Sequence, residues 1–293
     1  MAELSSAEKA DEERKIYAKL EFDDAKAFWD LADGPPKPEN KGMHGESRRE
    51  GDASWNGTKD YKTATQLARY GWPEGAKFVE ETTLRLSEAV GRRIPVDLII
   101  QDIAGSFVNI PAYIAGEPAD MMRIEPAISS GKRIAKVVYN CSASCGVSSE
   151  VLMRRGAVAC ALVDVLGRAG FLAELVVCEW IAAGDKKMGV ELMVKRSDEP
   201  LNFDRAAFCL AHPAMLRRMM FAIEENGLSK EGRQIFGITS GGGYGMPCHI
   251  PLAHRGDINF DRMHGSEPEW NDIKSAEDAA MKMLVKSGII SID

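Results

Sequence analysis

Residues 133–170 read RIAKVVYNCSASCGVSSEVLMRRGAVACALVDVLGRAG, and the fold is decided there. Arg133–Asn140 is a short run rich in β-branched residues, the pattern of a buried strand. A loop, Cys141–Val147, follows it. From about Ser148 to Gly170 apolar residues then fall on nearly every face, interrupted at Arg154, Arg155, Asp164 and Arg168. The spacing predicts a mostly buried helix that stops at Gly170. An unpaired buried charge is costly, so Arg154 and Arg155 must emerge at the helix end or pair with buried acids.

Strands and helices continue to alternate towards the C-terminus. Phe171–Ala182 and Met188–Lys195 are strand-like runs separated by AGDKK, and the Gly-Asp turn predicts an antiparallel hairpin. Asn202 or Asp204 starts a helix that Pro213 interrupts, with Met215, Met219 and Ile223 at helical spacing beyond it. Arg233–Thr239 (RQIFGIT) is expected as a strand running into SGGGYG, and Asp257–Met263 as another. A last helix is expected from Ser275, capped by a Ser275/Asp278 box, to Gly288.

The N-terminal side has a different texture. Residues 4–30 are expected to be helical, with Phe22, Ala25, Phe28 and Trp29 as the apolar edge. Asp33–Asn56, with Pro35, Pro36 and Pro38, is expected as an irregular, largely exposed connection that is either disordered or acts by docking. Helices follow at Thr58–Tyr70 and from Pro73 to Val90, and extended segments begin at Ile94. The expected division is a helical region at 1–95, containing the loop 33–56, and an α/β domain at 96–293.

From residue 133 the order is strand, serine-bearing loop, buried helix, hairpin, helix, strand with Gly-rich loop, strand, helix. This resembles the von Willebrand factor A fold over about residues 133–293. In that family the first strand ends in Asp-x-Ser-x-Ser, where this sequence has Asn140-Cys141-Ser142-Ala143-Ser144. A later strand often ends in Thr-Asp-Gly, matched here by Thr239-Ser240-Gly241. The resemblance implies an open, mostly parallel sheet with one antiparallel edge strand, flanked by helices. It further implies a ligand-binding sheet edge at Asn140, Ser142, Ser144, Thr239, Ser240 and Gly241. Of these, Asn140, Ser142 and Ser144 would hold Mg²⁺ or Ca²⁺ in a MIDAS-like site. The sequence departs from the motif at both acidic positions, Asn140 and Ser240, which weakens attraction for a bare cation. The other reading is that Asn140, Ser142 and Ser144 cap the helix and satisfy loop backbone groups. Segments across residues 54–172, including SWNGTKDYKTATQLARYGWPEGAKF and GSFVNIPAYIAGEPADMM, are similar to a family of bacteriophage proteins with no assigned activity, which implies a phage origin.

Composition narrows the function classes. A net charge of −7 argues against nucleic-acid binding by the whole surface, though Arg154, Arg155 and other basic residues could form a local groove. No run of about 20 apolar residues exists, so no membrane partner is expected. The charged N-terminus lacks a secretory pattern, and six cysteines in 293 residues read as reduced thiols. Cys248, His249, His254 and His264 are ligand types for zinc at a spacing that fits no usual pattern. Cys141 and Cys145 lie near a helix start but have no histidine nearby in sequence. Ser240–Gly245 lacks the lysine of a nucleotide-binding loop. Asp97, Asp102, Glu117 and Asp120 have no spacing that pairs them, and Trp55, Trp72, Trp180 and Trp270 read as packing anchors. These features predict a non-catalytic, phage-encoded binding or assembly protein. Its sheet edge would engage a protein partner or its own copies, in the cytoplasm of the infected host or with the virion. The alternatives are a metal- or phosphate-dependent enzyme at Asn140–Ser144 and Thr239–Gly243, and a nucleic-acid binder.

Overall fold

The computed structural model describes residues 4–43, 45–90, 98–125, 134–239, 243–265 and 267–289. The chain opens with α1 (Ser6–Glu13), β1 (Lys15–Phe22), α2 (Ala25–Asp33), α3 (Ala53–Asn56), α4 (Tyr61–Tyr70) and α5 (Pro73–Val90). A small module follows, made of β2 (Leu98–Asp102), β3 (Phe107–Val108), α6 (Ile110–Ala115) and β4 (Met121–Glu125). Then come β5 (Ile134–Asn140), α7 (Ser149–Arg168), β6 (Leu172–Ala183) and β7 (Lys186–Lys195). The remainder is α8 (Phe203–Ala211), α9 (Phe221–Gly227), α10 (Lys230–Ile235), β8 (Met246–Pro247), β9 (Ile258–Phe260) and α11 (Ile273–Lys286).

The main sheet has the order β1-β7-β6-β5-β9. It is mostly parallel, as expected: β1/β7, β6/β5 and β5/β9 run parallel, and the hairpin β6/β7 is antiparallel. The hairpin turns at Gly184 with φ of 58°, the left-handed backbone that a two-residue turn requires. The antiparallel strand β7 lies one place in from the edge, because β1 pairs outside it. β6 is longer than β5, and its far end, Ile181 and Ala182, pairs with β8 instead. That step leaves room beyond the end of β5.

Side-chain alternation divides the sheet into two unlike faces. Val137 and Tyr139 of β5, Leu175, Val177 and Ile181 of β6, and Met188, Val190 and Leu192 of β7 belong to the larger core, with α2, α7, α8, α9 and α11. The opposite face buries Val138, Val176, Cys178, Trp180 and Ala182 against Cys248 and Ile250. Ser148 caps α7 by accepting from the Val151 N–H, and Gly156 lets α7 cross α8 closely. A methyl at Gly156 would lie 2.1 Å from the Leu210 carbonyl oxygen, inside van der Waals contact.

Three sequence expectations are corrected. Within residues 4–30, Lys15–Phe22 is a strand rather than helix. KIYAKLEF alternates with period two, and as an edge strand it points Lys15, Lys19 and Glu21 outward, charges that also discourage pairing with another chain. Arg233–Thr239 holds no strand: α10 ends at Ile235 and the chain turns at Gly237, φ 72°. The last helix starts at Ile273, and its cap is Asp272, which accepts from the Ser275 N–H at 2.9 Å and the Ser275 hydroxyl at 2.7 Å. Residues 94–97, with Asp97, lie outside the described residues, as does Arg133.

The buried arginines answer the charge problem by neither expected route. Arg155 is 2% exposed and donates to the Asn140 carbonyl at 3.0 Å and to the Asp261 carbonyl. Its guanidinium packs over Tyr139, Phe260 and Trp270 at 4.7–5.7 Å. Arg154 reaches the Trp270 carbonyl at 2.5 Å. Carbonyl dipoles and ring faces thus do what buried acids were expected to do.

The loop 33–56 docks. Beyond Pro213 the chain forms a π-helical turn, Met215–Met220, that runs directly into α9. From that turn Arg218 donates to the carbonyls of Ser47 at 2.9 Å, Thr58 at 3.1 Å and Arg49 at 3.3 Å. Glu225 accepts from the Ser47 N–H at 2.9 Å and the Ser47 hydroxyl at 2.7 Å. Asn40 and Ser47 are consequently fully buried.

Candidate ligand-binding pocket at the sheet edge

At the carboxyl end of β5 the chain turns on Asn140. Its Oδ1 accepts from the N–H groups of Ser142 at 3.0 Å and Trp180 at 3.3 Å, and its Nδ2 donates to the Cys248 carbonyl at 3.0 Å. The carboxamide is taken up by these bonds and is fully buried. The turn presents Ser142, Ala143, Ser144 and Cys145 to a cavity of about 380 Å³. Glu179 and Ile181 of β6 form its floor, and Leu216, Arg217 and Phe221 one wall. The docked loop contributes Glu46 and Trp55, and Gly243–Pro247 with His264 close the remaining side. This is the crevice outside strand carboxyl ends where open α/β sheets take ligands.

Glu179 sits at an inward position of an otherwise apolar strand, and Glu224 approaches it from α9. Both are buried, Glu224 completely. Neither oxygen of Glu224 nor Oε2 of Glu179 has a well-formed hydrogen bond among the described residues. Burial pushes both carboxyls above the usual range, and for Glu224 the neighbouring Glu179 pushes further. Two carboxyls this close hold at least one proton between them at neutral pH. The Ser142 hydroxyl, 1% exposed, also lines the cavity without a partner.

Opposite them stands Arg217. Its Nη1 donates to the Trp55 carbonyl at 2.5 Å and Ser149 Oγ at 3.2 Å, and its Nη2 to the Val147 carbonyl at 2.6 Å. The guanidinium lies 4.2 Å over the Trp55 ring. No carboxylate pairs with it among the described residues, and its Nε–H makes no hydrogen bond there. Burial lowers its pKa to about 10, which leaves it charged at neutral pH.

Of the residues expected at the sheet edge, Ser142 and Ser144 reach the pocket and Asn140 lies behind it. Thr239 is half-buried and outside the lining, while Ser240 and Gly241 lie outside the described residues. Ser144 donates to the His264 carbonyl at 3.0 Å, with the ring Nδ1 at 3.4 Å. A hard cation wants six or more oxygens. With Asn140 committed, the pocket-facing oxygens around Ser142 come from Glu179 and Ser144, a sparse set for Mg²⁺ or Ca²⁺.

The zinc-type side chains disperse. Cys248 is fully buried in the smaller core, His249 faces Asp261 at 3.1 Å, His254 faces Glu191 at 2.8 Å, and His264 is in the pocket. Glu8, His249 and Asp261 do come together, but Arg255 bonds Glu8 at 2.9 Å and Asp261 at 3.0 Å, so a guanidinium already bridges the carboxylates. Burial pushes the Cys141 thiol well up, against any role as nucleophile. Cys145 shares the pocket with His264 and Arg217, a proximity invisible in the sequence. Glu179 and Glu224 went unnoticed there too. The available signal was a carboxylate at an inward position of a buried strand, and another in a helix of buried residues.

The family model described as domain of unknown function (DUF7192) matches residues 9–291. No curated protein and no solved structure matches the chain. The chain belongs to the DUF7192 family.

Proposed function

We propose that this protein is a non-catalytic binding protein that holds a small molecule in the pocket beyond the end of β5. One observation carries the reading. Buried polar groups without partners, Ser142 Oγ and Glu179 Oε2, meet at a cavity whose walls are otherwise largely apolar. Such groups are expensive to bury, and apolar concavities with a few convergent polar groups are where proteins bind small ligands. Ligand-observed NMR with a fragment library tests it. Fragments should bind the wild type and be lost from Ala143→Phe, which fills the cavity. Equal binding by that variant at an unchanged melting temperature would defeat the proposal.

A second reading, assembly with a further copy of the chain, has a separate basis. The module 98–125 forms its own three-stranded sheet, β2-β4-β3, and contributes no residue to either core cluster among the described residues. It exposes Ile103, Phe107, Val108, Ile110, Tyr113 and Ile114. An apolar face of this kind marks an interaction surface, and the outer edges of β2 and β3 offer strand pairing to a second module. Light scattering should find an oligomer that an Ile110→Asp/Ile114→Asp variant dissolves; a wild-type monomer at high concentration would end this reading. The resemblances to von Willebrand factor A domains and to phage proteins agree with a binding role and supply no chemistry for it.

A further inference from the structure

The pocket has two electrically distinct ends. At one end are Glu179, backed by Glu224, and the unpartnered Ser142 hydroxyl. No lysine or arginine pairs with either carboxyl among the described residues. At the other end is Arg217, whose three hydrogen bonds go to two carbonyls and a hydroxyl and use both N–H groups of Nη1. What remains is the Nε–H and one N–H of Nη2, the side-on fork that matches a carboxylate with two parallel hydrogen bonds. Between the ends run Ile181, Leu216 and Phe221.

We infer that the pocket takes a small zwitterion of the amino-acid class. Its ammonium group would rest on Glu179 and the Ser142 hydroxyl, its carboxylate on the free fork of Arg217, and an apolar side chain along Ile181, Leu216 and Phe221. The inference rests on the proposed ligand-binding role and adds the ligand's chemistry. A bare cation would satisfy one end and be repelled by Arg217. A simple anion would meet the guanidinium but leave the carboxyls and Ser142 as they are. A molecule with both charges neutralises both ends, and about 380 Å³ accommodates an amino acid with a sizeable side chain. The ligand arrives as ammonium and carboxylate. As Glu179 ionises to receive the ammonium, a proton leaves the carboxyl pair for solvent.

Calorimetry with L-phenylalanine, phenethylamine, 3-phenylpropionate and 2-phenylethanol tests the assignment, since the last three lack one or both charges. Phenylalanine should bind at least about tenfold more tightly than each of the others, one well-placed charged hydrogen bond per end. Its heat should vary with buffer ionisation enthalpy, reporting the released proton. Glu179→Gln should weaken phenylalanine and phenethylamine but spare phenylpropionate; Arg217→Lys should do the converse. Circular dichroism and melting temperature establish that both variants are folded. Equal affinity for all four molecules, or no effect of Glu179→Gln, would overturn the zwitterion while leaving the pocket as a binding site. If none of the four binds and the fragment library also fails, the binding-site reading falls with it. Tight Mn²⁺ or Mg²⁺ binding that is lost in Glu179→Gln would overturn the inference in favour of a metal site.

Discussion

Glu224 and Glu225 are consecutive residues of one helix in opposite circumstances. Glu225 belongs to the socket that holds the loop 33–56: it accepts from the Ser47 backbone and hydroxyl and from Tyr244, and Arg218 grips the same loop by its carbonyls. Glu224 belongs to the pocket floor, where it faces another carboxyl without a well-formed hydrogen bond. The socket spends buried charge on fixing a chain segment. The floor leaves buried charge unsatisfied beside a cavity. Helical geometry permits this, since neighbouring residues point in directions about 100° apart. Buried polarity alone therefore does not identify a site; the informative quantity is whether its hydrogen-bonding capacity is met.

The comparison breaks if socket and floor respond alike to mutation. Arg218→Ala should have the largest effect, about 3–5 kcal/mol of stability, because three buried carbonyls lose their donor. Denaturant unfolding reads the loss, and limited proteolysis should find new cleavage between residues 40 and 58. A third kind of buried polar group, His212, sharpens the contrast. It stacks on Phe208, accepts from the Ala214 N–H at 3.1 Å, and is held neutral by burial with its pKa lowered to about 4. The unfolded chain binds this proton near pH 6.5, so the contribution is complete above 6.5 and is lost as pH falls towards 4. That amounts to about 3 kcal/mol, measurable as a steeper acid loss in wild type than in His212→Gln. The floor carries the opposite sign. Glu224 is raised above its unfolded value near 4.5, so its contribution is present below that pH and is lost as pH rises through the folded value. Glu224→Gln should therefore be more stable than wild type by about 1–2 kcal/mol at pH 8 and show no advantage at pH 4.5. Smallest of all is the exposed module, where Ile110→Asp/Ile114→Asp should change unfolding stability by less than about 0.5 kcal/mol.

Elements with strong, uniform patterns were legible in the sequence. β5, α7, the β6/β7 hairpin and the break at Pro213 lie where spacing and turn residues place them. β1 was missed because charges on an edge strand imitate the polar face of a helix. At Arg233–Thr239 the apolar pattern was real but its cause differed: Phe236 and Ile238 are buried from a turn after a one-turn helix, not from a strand. The candidate site was half legible. Ser142 and Ser144 were placed at the sheet edge by their position after β5. Glu179, Arg217 and Trp55 come from three separate parts of the chain, and only the docking of the loop 33–56 brings Trp55 to the others.

The π-helical turn at Met215–Met220 makes chain length itself a constraint. A π turn is an α-helix carrying one residue in excess. Excising one residue there would let an ordinary α-helix form and swing everything after it by about 100°. Glu224 would leave the floor and Glu225 the socket in a single step, although neither had been substituted. Relatives that keep both functions should vary in length elsewhere while preserving the residue count from Pro213 to Glu225. Insertions and deletions across aligned family members would then mark this stretch as incompressible, a signature readable from sequences alone.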